Sequence, residues 1–373
     1  MFDLTQRTIL MSVSGSWAYG TNRPDSDVDV KGVCVAPREY REGFLLRFEQ
    51  AEKGHLGPFI PLLREPLRGL AEKDGLDGVV FGIDKFFKLA SDCNPNVIEI
   101  LWTVSGDRLV CTPEGTKLLE ARDQFLSRKA LYTFRGYAIS QLKRIETHRR
   151  WLLNPPSAPP TRGEFGLPER TVISADQLMA AQAAVQKRID SWEIDFGILD
   201  EAEKIHIQEQ LQDTLQDWLI GTSETFRDGQ YRLVGRLLGY NENFLDLLDR
   251  ERHYRVAQRN WHQYQEWKVK RNPARAAMEA QFGYDGKYAL HLVRLMKMCR
   301  EILGTGKVNV RREDAEELRS YLRGEVCYED LLAWAKSEDV ALVELAKTSP
   351  LPKAPDREAL DQICQEITRG MND

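Results

Sequence analysis

The chain has 373 residues, 42 % hydrophobic and 29 % charged, with a formal net charge of −5 at pH 7. That is enough apolar mass for about two packed domains and too much charge for a membrane protein, since no run approaches the roughly 20 apolar residues of a bilayer span. The start, MFDLTQRTIL, lacks a basic segment followed by an apolar stretch, and six scattered cysteines without a C-x-x-C pair argue against a disulfide framework or a zinc site, so a cytoplasmic protein is expected.

From Arg7 to Pro37, short β-branched runs (TILMSVSG and SDVDVKGVCVA) are separated by Gly, Asn, Pro and Asp. This pattern predicts strand, turn with a helix start, then strand. A second β-favouring run spans Gly78 to Ile83, and Pro95 breaks the helical period of the amphipathic stretch that follows it. After Arg122 apolar residues recur at helical spacings almost throughout, which places a domain boundary there. The fold expected is α+β: an N-terminal α/β domain of residues 1–122 with a small mixed sheet, then a mostly helical domain of residues 123–373. Residues 151–170 carry five prolines and form an extended excursion. Residues 191–249, acidic and loosely helical, read as a variable insertion.

The segment SGSWAYGTNRPDSDVDVKG carries the chemistry. Asp27 and Asp29 lie two apart, and alternation along a strand puts two such side chains on one face, about 6.5 Å apart. Both carboxylates can then reach one metal centre. Gly15 lets backbone approach a phosphate, and Ser16 stands where a helix N-terminus offers N–H groups and a hydroxyl. Two divalent ions about 3.5–4 Å apart are what in-line nucleotidyl transfer needs.

G-S-x-x-Y-G followed by S-D-x-D-x-x-G resembles the active-site signature of the DNA polymerase β nucleotidyltransferase superfamily. Asp77 ahead of Lys85-Phe86, the run NPNVIEILW, the NPPSAPPTRGEFGLP stretch and GYDGKYALHLVRL resemble, more narrowly, its RNA-repair-associated (RlaP-like) branch. The resemblance implies a third carboxylate that serves as metal ligand and proton acceptor for the attacking hydroxyl. Asp77, just ahead of GVVFGI, is the candidate, with Asp74 in reserve. The cofactor implied is Mg²⁺ or Mn²⁺ at a two-ion site on Asp27, Asp29 and Asp77.

In the second half, Asp285 as N-cap and Gly304 as stop delimit a helix over residues 286–303. On it Lys287, His291 and Arg294 fall within an arc of about 60°, opposite an apolar face. With the resemblance, this stripe is a candidate for binding the phosphates, base or ribose of a nucleotide, beside Gly15 and Ser16. Residues 250–275 hold eight Arg or Lys against two Glu, a balance of +6, interleaved with Tyr254, Trp261, Tyr264 and Trp267. Such a stretch suits an RNA or DNA acceptor as well as a solvated helix.

The activity expected is transfer of NMP from an NTP, with ATP among the candidates, to a hydroxyl, with release of pyrophosphate; the resemblance implies an RNA end as acceptor and no membrane partner. Alternatives are nucleotidylation of a protein hydroxyl, of toxin-antitoxin or defence type, and a non-catalytic nucleotide- or RNA-binding module. Three carboxylates brought together without a metal would repel one another, which argues against the last.

Overall fold

The computed structural model describes residues 2–24, 26–170, 238–271 and 273–371, with residues 176, 179–181, 183, 184 and 236. Most of the expected insertion at 191–249 lies outside the described residues. The chain forms two compact units, Met1–Asn154 with Asn272–Asp373, and Pro155–Arg271.

The first unit contains a mixed five-stranded sheet in the order β3-β4-β2-β1-β5. Its strands are β1 (Thr8–Ser14), β2 (Asp29–Cys34), β3 (Gln50–Glu52), β4 (Asp77–Gly82) and β5 (Arg108–Cys111). β2 runs antiparallel to β1 and parallel to β4. Alternation sorts the side chains onto two faces. Met11, Val13, Val30, Cys34 and Val80 pack with Leu56, Phe59 and Leu63 on one face. Leu10, Val33 and Phe81 pack on the other with helices α2 (Ile83–Ser91), α3 (Ala130–Leu153) and α5 (Gly286–Thr305). Asp29, Lys31 and Asp77 share the parity of Val33 and Phe81, so they belong to this helix-covered face. The architecture is α+β, a sheet followed by a mostly helical C-terminal region.

The carboxyl half of this unit is built on α5, which packs against α3 and the helix α6 (Tyr328–Thr348). Its apolar positions Leu292, Val293, Leu295, Met296, Cys299 and Leu303 are all buried. The helix runs through Gly304, the expected stop, to Thr305. It ends at Gly306, which takes the left-handed conformation (φ 66°) while its N–H donates to the Ile302 carbonyl. Pro95 starts a short helix, Pro95–Ile98, for which the Asn94 side chain accepts from the Asn96 N–H at 3.0 Å.

Among the described residues of the second unit is a long helix, α4 (Glu242–Lys270), with the residues of the basic aromatic stretch up to Lys270 on it. Arg162 pairs with the buried Glu251 carboxylate and lies 5.4 Å over the Tyr254 ring, fixing the Gly163–Phe165 turn to this helix. Tyr264 is buried, so part of the aromatic stretch is core rather than surface. Among the described residues no helix is long and apolar enough to cross a membrane.

Candidate active site

Asp29 and Asp77 open two neighbouring parallel strands and are register partners. The Asp77 N–H donates to the Val28 carbonyl (3.1 Å), and the Gly78 N–H donates to Asp77 Oδ1 (2.8 Å). Gly78 has φ 136°, and a Cβ there would fall 1.8 Å from the Val30 carbonyl oxygen. Only glycine lets β4 close onto β2 at this point. Gly15 plays a matching part on the other side of Asp29: its φ is 62°, and a Cβ would stand 2.3 Å from Asp29 Oδ2. The glycine of the Gly-Ser motif is thus required by the carboxylate itself.

Asp27 precedes the strand rather than lying in it, since β2 begins at Asp29. The expected same-strand geometry therefore does not apply, and a loop carries Asp27 to the cleft. Burial raises the Asp29 carboxyl above its usual range; the Asp77 charge adds to this, Lys31 and Lys287 oppose it, and Asp27 adds again. Asp74, the reserve candidate, ends helix Leu67–Asp74 beside Lys73 and lines neither cleft at the site.

α1 (Gly15–Tyr19) follows β1 directly and presents Ser16 to a cleft of about 430 Å³. Asp27, Asp29, Arg23, Ser26, Lys287 and His291 also line this cleft. The 21–28 loop is held by the Arg23 N–H donating to Ser26 Oγ at 2.8 Å. Adjoining it at Asp29 lies a second cleft, of about 680 Å³, which includes Asp77 but neither Asp27 nor Ser16.

The expected cationic stripe of α5 divides. Asp285 caps the helix by accepting from the Lys287 N–H (2.8 Å), and Lys287 and His291 line both clefts. Arg294 is instead 5 % exposed, donates to Glu99 Oε1, and lies 3.9 Å over the Tyr19 ring. The Tyr19 hydroxyl donates to the other Glu99 oxygen at 2.5 Å. This buried triad ties α1, the Glu99–Trp102 turn and α5 together behind the carboxylates. Arg135 of α3 is likewise turned inward, onto Asp339.

Several residues of the site escaped sequence reasoning. Lys31 could have been found, because alternation puts it on the face of Asp29. Arg23 lies in the motif loop between its two lettered parts, and Ser26 is the motif's own serine, for which no role was read. Glu99 carried no local signal.

Among the described residues no three His, Cys, Asp or Glu side chains converge on a ready-made metal cage. The donors present still suit a hard divalent ion: Mg²⁺ is commonly held by one or two carboxylates together with substrate phosphates. Asp29 and Asp77 supply such a pair, and their mutual repulsion is what a cation would relieve.

Residues 3–153 match the model of a family described as RlaP, the RNA repair pathway DNA polymerase beta family. The chain is also 30 % identical over 97 residues to an uncharacterized 38.9 kDa protein from the nrdC-mobD intergenic region of Enterobacteria phage T4. That likeness covers 26 % of each of the two chains. No solved structure matches the chain.

Proposed function

We propose, from the match of residues 3–153 to the RNA repair pathway DNA polymerase beta family, that the protein transfers a nucleoside monophosphate from an NTP to a hydroxyl group, with an RNA end as acceptor. The observation that carries this reading is the register pairing of Asp29 with Asp77 beside the Gly15-Ser16 turn. A triphosphate fits the first cleft, where Ser16, Arg23 and Ser26 offer hydroxyls, backbone and a guanidinium, and Lys287 and His291 face them from α5. Asp27, Asp29 and Asp77 would hold Mg²⁺ or Mn²⁺, which when bound neutralises charge on the phosphates and lowers the proton affinity of a bound hydroxyl.

Asp77 opens onto the second cleft and takes the proton of the attacking hydroxyl. The hydroxyl oxygen bonds to the α-phosphorus, the bond from that phosphorus to the oxygen bridging to the β-phosphorus breaks, and pyrophosphate leaves with the electron pair. Arg294 acts as a positioning residue: with Glu99 and Tyr19 it holds α5, and so Lys287 and His291, against the carboxylates.

The test is incubation of the full chain with each α-labelled NTP, Mg²⁺ or Mn²⁺, and either RNA or cell lysate. Label entering RNA is the expected result. Label in protein would replace the acceptor, and label in neither would leave a binding module.

A further inference from the structure

We propose that the second cleft is the acceptor site and that it takes the terminal nucleotide of a single-stranded RNA, with Tyr137, Gln141 and Arg144 of α3 and Tyr288 of α5 as its recognising side chains. The inference rests on the nucleotidyl-transfer reading and extends it to the adjoining cleft.

The two clefts share Gly15, Tyr19, Asp29, Lys287 and His291 but divide Asp27 and Asp77 between them. Asp27 and Ser16 face the first; Asp77 faces the second. The group that takes a proton from the attacking hydroxyl must touch that hydroxyl, so the acceptor approaches from the side of Asp77. Ser14 points the same way: it is the register partner of Asp29, 7 % exposed, and its hydroxyl has no hydrogen-bond partner among the described residues. It lines the second cleft, where an acceptor's polar atom would satisfy it.

The wall of this cleft has the chemistry of a nucleotide site. Tyr137, Gln141 and Arg144 recur at four and three residues along α3 and therefore share one face of it. Tyr137 is 37 % exposed, an aromatic ring open to a stacking partner. Arg144 lies 5.7 Å over the Tyr288 ring, a contact that still lets its N–H groups reach a phosphate. Gln141 presents an amide that can both donate to and accept from a base edge. Among the described residues Asp29 and Asp77 are the only acidic ones lining the cleft, against Lys31, Arg144 and Lys287. Aromatic rings interleaved with cations are how proteins hold single-stranded nucleic acid. A protein hydroxyl would need no such stacking surface.

The experiment uses the full chain and two separate titrations with Mg²⁺ present. One follows the fluorescence anisotropy of a 5′-labelled single-stranded RNA of about 15 nucleotides with a free 3′ hydroxyl; the other follows ATP binding without RNA. Arg144→Ala is expected to weaken RNA binding about tenfold and to lower the slope of log affinity against log salt by about one. Tyr137→Ala should weaken it about fivefold or more. Both should leave ATP affinity within about twofold of the parent, and melting of each variant near the parent temperature guards against misfolding as the cause. RNA affinity unchanged in Arg144→Ala and Tyr137→Ala, or no RNA binding by the parent protein, would overturn the proposal. Equal loss of ATP and RNA affinity would assign the cleft to the nucleotide instead, and label transferred only to protein would make the acceptor a polypeptide. Failure of the transfer reading is a separate event, seen as Asp29→Asn or Asp77→Asn keeping full transfer while the binding titrations stand.

Discussion

Asp29 and Asp77 face each other as the first residues of two parallel strands, each flanked by a glycine whose conformation no other residue takes easily. Burial raises the proton affinity of the Asp29 carboxylate, and the Asp77 charge raises it further. The folded chain bears this cost at the position the proposed reaction uses.

A pH dependence follows in the metal-free protein. The folded-state pKa of Asp29 lies above its ordinary value of 3.8, so its contribution to stability is fully present below that value and is lost as pH rises through the raised one. Asp29→Asn removes the loss. Its melting temperature in chelator at pH 7 is expected to exceed the parent's by about 2 °C, with the gap closing as pH falls toward 4. A variant melting below the parent at pH 7 would mean that the carboxylate is stabilising as it stands.

Lys287→Ala and Arg294→Ala should part company, although they lie on the same helix. Lys287 lines the cleft, so its loss should raise the nucleotide concentration for half-saturation roughly tenfold with little change in melting temperature. Arg294 is buried against Glu99, and removing one partner of a buried ion pair costs about 3–5 kcal/mol. Thermal melting of the two proteins checks this; equal melting temperatures would contradict the assignment of Arg294 as a positioning residue.

That contrast also marks where the sequence was legible and where it was not. Gly15, Ser16, Asp27 and Asp29 announce themselves because their spacing is local, and Asp77 because it enters a β-favouring run. Periodicity placed Lys287, His291 and Arg294 within one arc, but an arc does not say what lies opposite. The partner that turns Arg294 inward is 195 residues away in sequence, beyond any local pattern. The strand start at Asp29 rather than before Asp27 depends on where β4 begins its pairing, and this too is not local. The helix stop moved from Gly304 to Gly306 because either glycine could have adopted the left-handed turn.

Ser16→Ala should give a graded defect. One hydroxyl contact to a charged phosphate contributes roughly 0.5–3 kcal/mol, or about a 2- to 150-fold rise in the KM for nucleotide. Steady-state kinetics with saturating acceptor measures it. An unchanged KM would remove the hydroxyl from the triphosphate site.

Gly15→Ala should be more damaging than its size suggests, because its Cβ would press on Asp29 Oδ2. The expected outcome is loss of at least about 100-fold in transfer rate in a protein whose circular dichroism stays native. Full activity would show that the carboxylate can move without harm.

The central claim is that Asp29 and Asp77 together carry nucleotidyl transfer. It is tested most directly by following pyrophosphate release and label incorporation in the same reaction, with Mg²⁺ and an RNA acceptor, for the parent protein, Asp29→Asn and Asp77→Asn. The parent should release one pyrophosphate for each nucleotide incorporated, and each variant, folded by circular dichroism, should lose at least about 100-fold in rate. Transfer at the parent rate by either variant would contradict the account.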